Sequence, residues 1–229
     1  MITKVQQIEW KPSPNFWVGR NGKSIIAIVN HITAGLMPGT LSWLQNPKAQ
    51  ASAHYLVTKS GDIYQPVKDE DTAWACGLVI KPNWSLYDGT NPNRYTINIE
   101  HEALAGEGLT EEQYQATLWL HRQLIDRWGI LVDRDHILGH YRIDSVNRPN
   151  DPGAAFPWDR LFNDLKRDEG CVIPNGAKEC KIDIGDSIFP GYVLVNRAYF
   201  QTGVPVRDVK DAMDRKIGWD TTGFKVVIK

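Results

Sequence analysis

The sequence predicts an α/β domain over residues 1–170, built on a central sheet flanked by helices, followed by a small α+β unit over residues 171–229. Three observations predict it. Apolar, β-type runs alternate with segments of helical periodicity along residues 1–170, the pattern of strands covered by helices. Composition changes near Glu169-Gly170, after which short strand-like runs follow one another. A chain of 229 residues is long enough for one full core plus a small appendage.

Residues 1–23 carry Pro12, Pro14, Gly19 and Gly22 and read as irregular. The run Ser24-Ile25-Ile26-Ala27-Ile28-Val29-Asn30 reads as a strand buried on both faces. Thr40 is placed to cap a short helix through Leu41, Trp43 and Leu44 that Pro47 ends. Ser52–Thr58 and Ile63–Val67 flank a Gly61-containing turn and read as a hairpin. Residues 77–94 repeat Gly, Pro and Asn and read as a long loop, a feature often functional in a compact domain. Thr110-Glu111-Glu112-Gln113 forms a capping box. Behind it Tyr114, Leu118, His121, Leu124, Ile125 and Trp128 recur at helical spacing, and Gly129 ends the helix. A strand at 136–139, a Pro/Gly/Asn-rich segment at 144–155 and a helix opening at Pro157 complete the domain. Beyond residue 170, short strands, a helix over Val206 to Lys216 and a final strand over Phe224–Ile228 are expected.

Composition excludes several functions. Apolar residues at 42% and charged residues at 23% are ordinary for a globular protein, and the net charge of -1 gives no basic excess for nucleic acid. No apolar run reaches the about 18 residues of a membrane span, so no membrane insertion is expected. Met1 to Trp10 lacks the apolar segment of a signal peptide, which implies synthesis in the cytoplasm without one. Three cysteines, Cys76, Cys171 and Cys180, are too few for a disulfide scaffold, although Cys171 and Cys180 are close enough in sequence to bridge.

The chemistry-bearing residues gather at strand ends. His31, Glu100 and His140 each follow a short apolar run, and Asp151 opens an Asp-Pro-Gly turn. Ligands collect at strand ends in open α/β sheets. Two imidazoles and a carboxylate can hold zinc with one position open, and a second carboxylate beside the opening can act as a base. Spacing alone leaves this open, because each position also has an ordinary structural use. Glu102 shares the strand face of Glu100 and competes for the base role, whereas His101 points the other way. His54 lies mid-strand, where it is either a packed core histidine or part of a groove. His121 and His136 read as structural.

Six segments in order carry a resemblance. They are Val29-Asn30-His31, Ser52-Ala53-His54-Tyr55-Leu56-Val57 with the following Gly61–Gln65, Thr72-Ala73-Trp74-Ala75-Cys76-Gly77, Ile97-Asn98-Ile99-Glu100, Gly139-His140, and Asp151-Pro152-Gly153-Ala154-Ala155-Phe156-Pro157-Trp158. Together they resemble the zinc-dependent N-acetylmuramoyl-L-alanine amidases, a family that includes phage lysozyme-type amidases, cell-wall recycling amidases and peptidoglycan recognition proteins. The resemblance covers residues 20–168 and implies a mixed central sheet with helices around it. It implies a Zn2+ cofactor held by His31, His140 and Asp151, with Glu100 as the catalytic carboxylate and Glu102 as its neighbour. It implies peptidoglycan as partner and cleavage of the amide between N-acetylmuramic acid and L-alanine.

Two departures stand out. Asn98 occupies a position where many members carry Gly. Members with a basic residue just before the Asp usually carry Lys two positions earlier, where this chain has Pro149, so Arg148 is the nearest cation for a developing oxyanion. Trp74, Trp84, Tyr87 and Arg94, in or near the 77–94 loop, and His54 are the expected groove residues, and Cys76 is a further thiol for the cleft wall.

The C-terminal order Val193–Tyr199, Val204–Val209, Ile217–Asp220 and the closing strand resembles the stalk domain named after the N-terminal domain of copper amine oxidases. That resemblance implies a wall-targeting, stalk or dimerising module. The expected function is an endolysin or autolysin acting on the cell wall. The alternatives are a cytosolic muropeptide-recycling amidase and a non-catalytic peptidoglycan-binding protein on the same fold.

Overall fold

A computed structural model describes residues 6–166 in full and, beyond them, the backbone of five strands between Lys178 and Ile228. The chain divides into two units, residues 1–166 and 167–229. The first is built on a six-stranded mixed sheet. In spatial order its strands are β1 (Ile8–Trp10), β5 (Ile63–Gln65), β4 (Tyr55–Val57), β7 (Thr96–His101), β3 (Ala27–Ile32) and β8 (Ile137–Gly139). Every pairing is parallel except β4 with β5, the hairpin expected around Gly61. A short β2 (Phe16–Trp17) pairs with β6 (Thr72–Ala73) apart from that sheet. The mixed α/β architecture expected from the sequence is therefore the one observed.

Alternation along the two central strands sorts side chains onto two faces. Ile28, Ile97 and Ile99 meet Tyr114, Leu120 and Leu124 of α2 (Glu111–Trp128) and Leu161 and Phe162 of α3 (Trp158–Lys166) in the main core. Ala27 and Val29 face the other way, into a second cluster with Cys76, Trp84, Tyr95, Leu138 and Ile143. His31, Asn98 and Glu100 have the parity of this second face.

α2 runs where its periodicity places it. Thr110 caps it by accepting from the Gln113 N–H at 3.1 Å, and Gly129 ends it at φ 65°. The reciprocal half of the capping box does not form: the Gln113 amide donates instead to the Val57 and Glu102 carbonyls, tying the helix to the sheet.

Several expectations are corrected. The strand read over 24–30 begins at Ala27 and runs to Ile32, because its partner β7 pairs from Thr96 to His101. His31 and Glu100 thus lie inside paired strands, one residue from their ends. Residues 1–23 are not wholly irregular, since β1 adds to the sheet edge beside β5. Thr40 does not cap the short α1 (Gly39–Leu44): Pro38 holds that place, and Thr40 lies within the helix.

In the second unit, β9 (Lys178–Ile184), β10 (Ser187–Leu194) and β11 (Arg197–Phe200) form an antiparallel meander. β13 (Lys225–Ile228) runs parallel to β9, and β12 (Ile217–Asp220) pairs with it on the outside. The expected helix over Val206 to Lys216 and the Cys171–Cys180 pairing lie outside the described residues. Among the described residues no helix is long and apolar enough to cross a membrane.

Candidate metal centre and catalytic cleft

Register brings the first two site residues together. β3 and β7 pair in parallel with His31 opposite Glu100, so both side chains emerge side by side on one face. β8 lies on the other flank of β3, and the chain leaves it directly through His140 into a 3-10 turn. The segment 144–157 then returns Asp151 to the same place.

Gly139 makes that return possible. A Cβ there would lie 2.7 Å from Pro152 Cδ and 2.6 Å from Tyr141 Cε1, so Pro152 packs where only glycine leaves room. Asp151 is held at two further points. Its Oδ1 accepts from the Ile32 N–H at 2.8 Å, and its carbonyl accepts from the Tyr141 N–H at 3.0 Å.

Three ligand atoms converge. His31 Nδ1 and His140 Nδ1 are 3.1 Å apart, and Asp151 Oδ2 lies 3.4 Å from the first and 3.0 Å from the second. Each imidazole is anchored by its other nitrogen: His31 Nε2 lies 3.0 Å from Asn98 Oδ1, and His140 Nε2 lies 2.9 Å from the Cys76 carbonyl. Both anchors are acceptors, so both Nε2 atoms carry protons and the inward Nδ1 atoms present lone pairs. Two bare nitrogens and a carboxylate oxygen at these distances repel unless a cation lies among them. Tetrahedral zinc with bonds of about 2.0 Å spaces its ligands about 3.3 Å apart, which matches this triangle. Among the described residues this is the group placed to share a metal ion.

Charge in the site is interdependent. Burial acts to raise Asp151, but its contacts with the His140 and His31 imidazoles and their positive charge when protonated hold it well below the usual carboxylate range. Burial acts to lower His31, yet its bond to Asp151 and the charges of Asp151 and Glu100 raise it to about 9. Burial and the charge of His31 lower His140. A proton on His31 thus fills the cationic role when no metal does, and a metal must displace it. Glu100 is half-buried, its Oε2 has no hydrogen-bond partner, and burial pushes its carboxyl up to about 7 against the opposing charges of His31 and Arg148. A carboxyl near neutrality beside a metal triangle is suited to accept a proton and return it.

These residues form the floor of an open cleft of about 830 Å3. Leu36, Trp43, Leu44 and Trp74 give it an apolar lining, and Asn147, Arg148 and Asn150 a polar one. Trp43 is 55% exposed and Leu36 45% exposed, so both offer apolar surface to a ligand. The sequence assigned neither to the cleft, and Trp43 is expected only as a residue of the short helix. A six-residue helix sends only Leu44 into the core.

Arg148, the expected cation, lines the cleft, and of the five expected groove residues Trp74 lines it and four do not. His54 is fully buried: its Nδ1 accepts from the Asn98 N–H at 3.0 Å, and its Nε2 lies 2.8 Å from Arg20 Nη2. Trp84 is buried, stacks on Tyr95 and donates to the Asp135 carbonyl. Tyr87 packs against the second core cluster. Arg94 lies over the Trp17 ring, which in turn packs on Trp74, so it stands outside the cleft. Cys76 is also buried, and contributes its carbonyl to His140 while its thiol faces Asn98. Glu102 spends its carboxylate on the Met37 and Lys59 N–H groups, both at 2.8 Å. His101 donates to the His31 carbonyl from the far face of β7.

Comparison with known proteins bears on the family. Residues 21–154 match the family model described as N-acetylmuramoyl-L-alanine amidase. The chain belongs to that family. It is 30% identical over 175 residues to N-acetylmuramoyl-L-alanine amidase A of Achromobacter lyticus, covering 67% of this chain and 90% of that one. It is 34% identical over 113 residues to 1,6-anhydro-N-acetylmuramyl-L-alanine amidase AmpD of Escherichia coli, and there spans 57% of the relative's length. Among solved structures, E. coli AmiD in complex with the substrate anhydro-N-acetylmuramic acid-L-Ala-D-gamma-Glu-L-Lys superposes with a TM-score of 0.54 at 28% identity, covering 61% of this chain and 57% of that one. A selenomethionine AmpD structure has the same fold, with a TM-score of 0.55 over 70% of this chain and 96% of that one.

Proposed function

We propose that this protein is a zinc-dependent hydrolase of the amide that joins N-acetylmuramic acid to L-alanine in peptidoglycan. One observation carries the reading: three ligand atoms 3.0–3.4 Å apart, with Glu100 in register beside His31. His31, His140 and Asp151 would hold the metal. Zinc there supplies a Lewis acid that polarises a carbonyl and makes water a stronger acid.

The remaining chemistry belongs to the chain. Glu100 takes a proton from the water that attacks the amide carbon, then gives a proton to the L-alanine nitrogen as the C–N bond breaks. One water is consumed, and a lactyl carboxylate and a free amine result. Arg148 stands at the cleft with its charge felt at Glu100, and it stabilises negative charge on the carbonyl oxygen. Trp74, Trp43 and Leu36 receive the apolar faces of the substrate. Intact ligand and base positions favour catalysis over binding alone.

In its leading form the protein acts on the wall itself, as an endolysin or autolysin, with the second unit as a targeting, stalk or dimerising module. A second reading, a recycling amidase for soluble anhydromuropeptides, is favoured by the 34% identity to AmpD. Digestion of intact sacculi and of anhydromuropeptides in parallel, each with and without a chelator, separates the two. Metal-dependent release of peptides that begin at L-alanine, read by mass spectrometry, supports the reaction. New reducing sugar ends in place of free peptides would refute it.

A further inference from the structure

Asn98 holds one imidazole of the metal triangle, that of His31, and the orientation of its amide follows from its neighbours. Thr96 Oγ1 has one proton and donates it to the Pro92 carbonyl at 2.9 Å. Towards Asn98 it can therefore only accept, and it does so from Asn98 Nδ2 at 3.1 Å. The amide oxygen is thereby turned to His31 Nε2 at 3.0 Å, with the Cys76 thiol donating to the same oxygen at 3.2 Å. Hydrogen-bond networks of this kind are what decide amide and imidazole states. Asn98 is fully buried, so water does not replace its contacts, and its N–H is tied to His54 Nδ1. His140 needs no such side chain, because the Cys76 carbonyl plays the same part.

We propose that Asn98 is a positioning residue for the metal centre: its side-chain oxygen holds the proton of His31 on Nε2 and so aims the Nδ1 lone pair at the ion shared with His140 and Asp151. The proposal rests on the metal reading given under Proposed function, and goes beyond it by assigning a residue that touches neither metal nor substrate. Partners of this kind orient ligand histidines, and their loss costs about 10–100-fold in metal affinity or activity.

Two substitutions separate positioning from packing. Asn98→Leu keeps the shape and removes the acceptor. Asn98→Asp keeps an acceptor for His31 but adds a buried charge and loses the donor to Thr96. Zinc affinity, measured by competition with a chromophoric chelator, is expected to fall about 10–100-fold in Asn98→Leu and to be retained in Asn98→Asp. Thermal stability without metal is expected to rank the other way, with Asn98→Asp the weaker. A packing role would instead harm Asn98→Asp in both measurements and spare Asn98→Leu.

Wild-type affinity in Asn98→Leu, or an equal loss in both variants, overturns the proposal while leaving the metal reading intact. No zinc binding by the wild type overturns both. Should Asn98→Leu fail to fold, 15N shifts of the imidazoles in the metal-free wild type, at a pH where His31 is neutral and its tautomer is free, still decide. A proton on His31 Nε2 supports the proposal, and a proton on Nδ1 overturns it.

Discussion

His31 and Glu100 are direct register partners on the parallel strands β3 and β7, so the proposed metal ligand and the proposed proton carrier are set side by side by backbone pairing. Neighbouring strands lie about 4.8 Å apart. Glu100 thus stands one strand away from His31, and the three ligand atoms of His31, His140 and Asp151 converge without it. Separation of roles gives the first expectation. Glu100→Gln should retain zinc at wild-type stoichiometry by elemental analysis and lose peptide release by about 100-fold or more, the usual scale for a positioned acid–base group. Full turnover in that variant would remove Glu100 from the mechanism.

The pH dependence follows from burial. Glu100 acts as a base only when ionised, and burial lifts its pKa to about 7. A cation in the triangle favours the carboxylate, so the limb in loaded enzyme lies at or below that value. Below the limb, kcat/KM should fall about tenfold per pH unit, and above it should level off. A limb in zinc-loaded enzyme well above pH 7 would assign the titration to another group.

Much of the site was legible in the sequence, for a physical reason. Strand ends are marked by apolar runs, and Gly139-His140 and Asp151-Pro152 are local words whose packing against each other needs no side chain at residue 139. The helix α2 was legible from Thr110 and Gly129, which carry the end chemistry. What alternation does not show is which sheet face is open. The loop 77–94 covers part of the second face, so Trp84 and Tyr87 became its core rather than a groove. His54 has the look of a site histidine, yet its partners Arg20 and Asn98 come from distant segments that spacing does not join. Trp43 was hidden because a six-residue helix is too short for its sequence periodicity to show which face is exposed.

Trp43 supplies the third expectation. It is exposed, lines the cleft and has no part in the ligand triangle. Trp43→Ala should leave zinc content and thermal stability nearly unchanged, since exposed positions contribute little to the fold. It should raise KM by about tenfold, the scale of about 1.4 kcal/mol lost from an aromatic contact, with kcat largely kept. An unchanged KM would show that substrate does not reach this wall.

Gly139 tests how closely the turn chemistry supports the metal. Gly139→Ala adds one methyl group in contact with a proline ring 2.7 Å away, and that ring cannot rotate aside as a flexible side chain would. Something must shift, and the residue attached to Pro152 is the proposed ligand Asp151. Its Oδ2 stands 3.0 Å and 3.4 Å from the two imidazoles, so a displacement of a few tenths of an ångström spoils the triangle directly. Zinc affinity should fall by about 10–100-fold, comparable to loss of a ligand-orienting partner. Asp151→Ala, which removes the ligand outright, should fall further. Gly139→Ala leaves all three ligand side chains and Glu100 in the chain, so activity should return at saturating zinc there and stay lost in Asp151→Ala. Chelator competition and a zinc titration of activity read both quantities. Wild-type affinity in Gly139→Ala would mean that Pro152 yields without carrying Asp151 with it.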